Sequence, residues 1–113
     1  MHEMSLMQSI FEQLETEIKK RELTKVSAVK LAVGQLTAAV PSALEFCFEY
    51  FAKDTVCEGA ELIIEEVPAK GYCHDCEQEF AIDKRFICPK CNSTNTETIS
   101  GRELYIDYIT VDS

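Results

Sequence analysis

Residues 68–100 read PAKGYCHDCEQEFAIDKRFICPKCNSTNTETIS, and this run decides how the rest of the chain is to be read. Two Cys-x-x-Cys pairs, Cys73 with Cys76 and Cys88 with Cys91, are separated by residues 77–87. Each short turn presents two thiolates to one ion, and the intervening run is long enough for a small ribbon hairpin that brings the pairs together. In a chain without an export signal the reducing cytosol is the default, so the spacing reads as a Zn(II) site before it reads as two disulfides or a redox pair. Four thiolates at about 2.3 Å complete a tetrahedral shell and leave no position for a substrate, so the expected role is structural. The core candidates are Tyr72, Phe80, Ile82, Phe86 and Ile87, too few to fold a module of roughly thirty residues without a metal. His74, inside the first pair, reads as a solvated turn residue or as a group that replaces or hydrogen-bonds a cysteine ligand.

On both sides of this run apolar periodicity resumes. Leu6, Met7, Ile10, Phe11, Leu14 and Ile18 recur at three- and four-residue steps, which predicts an amphipathic helix from Ser5 to about Arg21. Ser5 and Gln8 have capping-box spacing, so the first few residues are expected to precede the first turn and to be available for binding. Val26–Val33 is rich in β-branched residues and stops at Gly34, which reads as a strand and a turn. A second helix is expected from Pro41 to Lys53, with Pro41 at its start and Ser42 and Glu45 repeating the capping spacing. Leu44, Cys47, Phe48 and Phe51 form its buried stripe, extended by Phe46 and Tyr50, while Glu45, Glu49 and Lys53 mark the wet side. Glu61–Val67 and Glu103–Val111 read as further strands. The fold class is therefore α+β: a small three-stranded sheet with two helices, built from residues 1–67 and 101–113, with a zinc-ribbon-like module inserted at 68–100. Cys47 and Cys57 lie outside the paired motif and read as small buried hydrophobes.

Composition narrows the function. The chain has 113 residues with 20 acidic and 11 basic side chains, a net charge of -9. A phosphate backbone is a poor partner for that surface, and between residues 70 and 95 the bases Lys70, Lys84, Arg85 and Lys90 are matched by Asp75, Glu77, Glu79 and Asp83. No apolar run approaches the roughly 20 residues of a membrane span, and no signal peptide is visible, so a cytoplasmic location is expected. Neither a nucleophile with a base nor a phosphate loop is present, which argues against an enzyme. A sheet with partly apolar faces is compatible with a monomer or a homodimer.

The chain opens Met1-His2-Glu3. A histidine at position 2 is ordinarily just a terminal residue, but the chemistry permits more. The α-amine of Met1, the deprotonated amide of His2 and the His2 imidazole can form fused chelate rings, and the amide nitrogen of Glu3 can complete a planar four-nitrogen set. Such a set favours Ni(II) or Cu(II) over Zn(II) and Mg(II). The Glu3 carboxylate can balance charge or hydrogen-bond from outside the ligand ring.

MHEMSLMQSI at the start, VGQL…VPSALEFCFE over Val33–Glu49, GAEL at Gly59–Leu62 and CHDC…CPKC together resemble the hydrogenase nickel-incorporation proteins of the HypA/HybF family, in order along nearly the whole chain. The resemblance implies a nickel metallochaperone that helps to insert the metal into the precursor of a [NiFe]-hydrogenase large subunit. It implies Ni(II) at His2 near Glu3, Zn(II) at Cys73, Cys76, Cys88 and Cys91, and a nickel-handling GTPase as a second partner. Some relatives carry histidines just after a Cys-x-x-Cys pair. Glu77 and Asn92 stand there in this chain, so ligand exchange by such histidines is not expected. The competing reading is a zinc-ribbon adaptor for protein interaction with no specific nickel role.

Overall fold

The computed structural model describes residues 3–83 and 85–112. Along the chain these form α1 (Glu3–Arg21), β1 (Val26–Gly34), a short 3-10 turn (Gln35–Thr37), α2 (Pro41–Ala52), β2 (Glu61–Val67), β3 (Lys70–Cys73), β4 (Gln78–Ala81), β5 (Thr96–Ser100) and β6 (Leu104–Val111). The strands make two three-stranded sheets, ordered β2-β1-β6 and β4-β3-β5. Contacts divide the chain into two compact units, one holding both helices and one running mainly from residue 66 to 104.

In the first unit, α1 buries Leu6, Met7, Ile10, Phe11 and Leu14, and α2 buries Leu44, Cys47, Phe48 and Ala52. The two stripes meet through Phe11, whose ring lies 5.7 Å from Phe48 and 5.8 Å from Phe51. Val26, Val29 and Leu31 of β1 are fully buried, as expected of a central strand covered by helices. Lys30 on that strand reaches Glu65 of β2 at 3.2 Å and Asp107 of β6 at 3.6 Å, which ties all three strands at one level. Among the described residues no helix is long and apolar enough to cross a membrane.

Both helix starts differ from the expected ones. α1 begins at Glu3 rather than Ser5, and Ser5 is an exposed residue inside the first turns. An acid in the first turn complements the positive end of the helix dipole, and the Glu3 carboxylate also accepts the backbone N–H of Val40 at 3.0 Å. The N-cap of α2 is Val40, which makes no side-chain cap bond, and Pro41 occupies the first helical position. Proline's fixed φ sets the start there, so Ser42 is already inside the helix and does not cap it. Phe46 and Tyr50 do not extend the buried stripe of α2: they are 68% and 66% exposed. A rotation of about 100° per residue carries them past the arc held by Leu44, Cys47, Phe48 and Phe51.

The second unit comprises residues 33–38 and 66–104. Its core consists of Ala69, Cys73, Phe80, Ile82 and Cys88, with Leu36 and Cys76 packed against it. Phe86, a core candidate from sequence, is instead exposed, and Tyr72 and Ile87 are half-buried. The 33–38 segment belongs here for identifiable reasons. Leu36 N–H donates to Gly101 O at 2.7 Å, and Gln35 Oε1 accepts the N–H of Ala69 at 2.9 Å. Gly34 approaches so closely that a Cβ there would stand 2.0 Å from Gly101 O.

Candidate metal centre

The two cysteine pairs sit on turns of matching design. β3 runs antiparallel to β4 with Cys73 opposite Gln78, so the Cys73–Cys76 turn closes this hairpin. The Cys88–Cys91 turn is closed by Asn92 N–H to Cys88 O at 2.8 Å, and Cys88 N–H donates to Ser93 O at 3.0 Å. The residue after each second cysteine has positive φ, 57° at Glu77 and 60° at Asn92. That left-handed step reverses the chain around the thiols, and it strains Glu77 more than Asn92, because Asn tolerates this region.

The four Sγ atoms of Cys73, Cys76, Cys88 and Cys91 all lie within 4.8 Å of one another, the one such group of metal-binding side chains among the described residues. Across the two turns, Cys73 is 3.6 Å from Cys91 and Cys76 is 3.6 Å from Cys88. A disulfide requires about 2.05 Å, whereas ligands at about 2.3 Å on a tetrahedral ion stand about 3.8 Å apart. The cage therefore fits one tetrahedral ion of the size of Zn(II), and four soft sulfur donors suit that ion.

Backbone amides prepare the cage electrostatically. The N–H groups of Cys76 and Asp75 point at the Cys73 sulfur and hold its thiol below the ordinary range, against the opposing effect of burial. Burial opposes ionisation of Cys88 most strongly, but the N–H groups of Cys91 and Lys90 and the Cys76 and Cys91 thiols outweigh it and bring Cys88 down to about 7. Burial and the neighbouring thiols push Cys76 up to about 12. The first cysteine of each turn thus receives N–H groups from two and three residues on, which is the repeated pattern that favours thiolate.

A polar strap joins the turns from outside. Asp75 accepts a short hydrogen bond from Ser93 Oγ and another from Asn95 Nδ2 at 3.1 Å, and these bonds hold its carboxyl below the usual range. Asn95 O in turn accepts the N–H of His74 at 3.0 Å. Sequence reasoning missed Asp75, Ser93 and Asn95, because nothing local marks residues 18 and 20 positions apart as partners. The His74 side chain faces away from the sulfur cluster: its Nε2 is 3.4 Å from Glu97, and its ring meets Tyr72 edge-on at 5.1 Å.

The remaining residues singled out from sequence lie elsewhere. Cys47 and Cys57 are buried in the first unit, and burial raises the Cys57 thiol. Met1 and His2 lie outside the described residues. Glu3 is described, at the start of α1, with its carboxylate on Val40.

A family model described as "Hydrogenase/urease nickel incorporation, metallochaperone, hypA" matches residues 1–111. A hydrogenase maturation factor HypA from Desulfitobacterium hafniense is 45% identical over 113 residues, covering 99% of each chain. Another of that name, from Geobacter metallireducens, is 42% identical and covers 99% of this chain and 100% of its own. The solution structure of the Ni metallochaperone HypA from Helicobacter pylori is similar with a TM-score of 0.71 at 28% identity, over 98% of this chain and 97% of that one.

Proposed function

Because the chain belongs to the HypA family of nickel-incorporation metallochaperones in hydrogenase maturation, we propose that it binds one Ni(II) ion at its amino terminus and passes it to the precursor of a [NiFe]-hydrogenase large subunit. The observation that carries this reading is the family match from residue 1, which takes in the Met-His-Glu start. The ligands are the α-amine of Met1, the amide and imidazole nitrogens of His2 and the amide nitrogen of Glu3. The Glu3 carboxylate acts from outside the ligand ring. Support for that division of labour comes from its bond to Val40, which anchors the first turn of α1 to the start of α2.

Nickel is cargo here, so the site must release it. Ligands on a terminal segment leave one side open, and a recipient's thiolates can displace them one at a time, whereas a closed cage would retain the ion. An unperturbed imidazole titrates near 6.5, so protons compete with nickel and affinity falls on acidification. Cys73, Cys76, Cys88 and Cys91 hold a structural Zn(II), which supplies crosslinking and leaves no open coordination position. Asp75, Ser93 and Asn95 keep the two turns in register around it.

In this account residues 1–67 and 101–113 handle nickel and residues 68–100 form the zinc module. The protein works in the cytoplasm as a monomer or homodimer, without turnover of its own and without nucleic acid or membrane partners. A nickel-handling GTPase supplies the second partnership. The test is transfer: nickel-loaded chain is mixed with the hydrogenase large-subunit precursor, the two are separated, and nickel on the precursor is counted. Transfer by wild type and none by His2→Ala is the expected result. Delivery by neither would favour the zinc-ribbon adaptor, whose closed four-sulfur cage needs no nickel role, and equal delivery by both would move the nickel site away from His2.

A further inference from the structure

The four ligands of the sulfur cage are not held alike. Cys73 and Cys88 are completely buried, Cys76 is half-buried and Cys91 is exposed. Backbone support differs in the same direction. Cys73 ends β3 and is paired on both sides, with Gln78 of β4 and Thr96 of β5. Cys76 sits in the tight turn that closes the β3–β4 hairpin, so strands pin it from both ends. Cys88 and Cys91 lie between β4 and β5, on a stretch outside any strand. Of these two, Cys88 is sealed in the core, which leaves Cys91 as the ligand with the least protein around it.

The second turn is tied to the first by side chains centred on Ser93. Its Oγ donates to the Asp75 carboxylate and accepts the N–H of Asn95 at 2.9 Å. Its carbonyl accepts the N–H of Cys88 at 3.0 Å, and its own N–H faces the Cys91 sulfur. Asp75 takes a second bond from Asn95 Nδ2 at 3.1 Å, and Asn95 O is itself fixed by the N–H of His74. Asp75 therefore clamps a residue that touches both ligands of the second turn. Lys90 Nζ adds a bond to Gln78 Oε1 at 3.0 Å, but both residues are long and exposed, so that tie orders the turn at a higher entropic cost. Charge does not explain an acid at position 75. Four thiolates on a divalent ion carry a net charge of about -2, so a neighbouring carboxylate repels the loaded cage, and its bonds to Ser93 and Asn95 must offset that.

We propose that Cys91 is the ligand at which the cage opens and that Asp75, acting through Ser93, is the positioning residue that keeps it closed. The inference rests on the zinc reading of the cage given above. The chain around Cys91 can swing outward while Cys73, Cys76 and Cys88 stay in place, and a competing donor enters from that exposed side.

The test uses the zinc-loaded full chain. Limited N-ethylmaleimide with peptide mass mapping reads which of the four cage cysteines is modified first, and an excess of a chromogenic chelator reads the rate of zinc release. In wild type, Cys91 is expected to be labelled first. Asp75→Ala is expected to release zinc about tenfold faster, the change given by lowering a barrier by about 1.4 kcal/mol, with Cys91 still labelled first. Asp75→Asn removes the charge but keeps an acceptor, so its rate is expected to fall between the two. If charge alone mattered, both variants would release zinc more slowly than wild type.

Labelling of Cys73, Cys76 or Cys88 ahead of Cys91, or together with it, overturns the order of opening. Release from Asp75→Ala at the wild-type rate or slower overturns the clamp. Should Asp75→Ala retain no zinc, Asn95→Ala, which removes one of the two carboxylate bonds, is read in its place. About threefold faster release is then expected, and an unchanged rate overturns the clamp. A wild-type chain that carries no zinc, with all four cage thiols reacting at once, overturns the zinc reading and this inference with it.

Discussion

Replacing Cys73 with serine should unfold one unit of this protein and leave the other intact. The described core of the second unit has five buried members, and two of them, Cys73 and Cys88, are themselves ligands in the sulfur cage. Of the rest, only Phe80 and Ile82 are large. Burying two such side chains contributes about 3–6 kcal/mol together, whereas a structural zinc ion contributes about 10–16 kcal/mol of apparent folding free energy. The metal term is the larger, so losing one of four ligands removes most of what orders β3, β4 and β5. The first unit draws its core from Leu6, Met7, Ile10, Phe11, Leu14, Leu31 and Phe48 and uses none of the four cage cysteines. Metal analysis and amide NMR of the full chain test this together. Cys73→Ser should carry little zinc, lose resonance dispersion and exchange protection at Lys70–Cys73, Gln78–Ala81 and Thr96–Ser100, and keep both in α1 and α2. Wild type stripped with a chelator should match it. Protected amides persisting in β3–β5 without zinc would refute the reasoning.

Three further expectations concern the frame around the two sites. Glu3→Ala should speed hydrogen exchange at the Val40 amide and cost about 0.5–1.5 kcal/mol for the lost hydrogen bond, while Glu3→Gln should retain most of the protection. Gly34→Ala should destabilise by about 3 kcal/mol or more in denaturant melts, because its Cβ would meet backbone rather than a side chain that can swing aside. The hydrogen bond to Glu65, reinforced by the charges of Glu65 and Asp107, raises the Lys30 ammonium above its ordinary 10.5 against the opposing effect of burial. A raised basic group contributes fully below 10.5 and loses that contribution as pH climbs through its folded value. Melting temperature should therefore fall more steeply above pH 10.5 in wild type than in Lys30→Met.

Much of this fold was legible because it is written in local pattern. β1 and β2 carry β-branched runs that no helix period explains, and α2 is announced by Pro41. The cysteine spacing marked the sulfur cage, and the structure gathers all four sulfurs within 4.8 Å of one another, with two cross-turn pairs at 3.6 Å. What escaped is tertiary. Glu3 ties to a residue 37 positions away, and α1 already includes it where capping spacing alone pointed to a start at Ser5. The strap of Asp75, Ser93 and Asn95 forms only once the two turns meet. Hydrophobicity alone extends the buried stripe of α2 to Phe46 and Tyr50, but it does not fix the width of that stripe, and both stand exposed. The strands of the second unit are short, and their pairing follows from Gly71 seating against the Phe80 ring and from the cage, not from propensity.

The central claim is that the amino terminus carries the nickel, and titration of Ni(II) into zinc-loaded chain with an unmodified terminus, beside His2→Ala, tests it most directly. Calorimetry and visible absorption should show one nickel per chain in wild type, with affinity falling steeply below neutral pH as protons compete for the amine, amide and imidazole nitrogens. The His2→Ala chain should show none, with its zinc still in place. Equal nickel binding by both chains would contradict the account and move the metal to ligands elsewhere in the chain, and a profile flat with pH would contradict it too, pointing to carboxylate ligands.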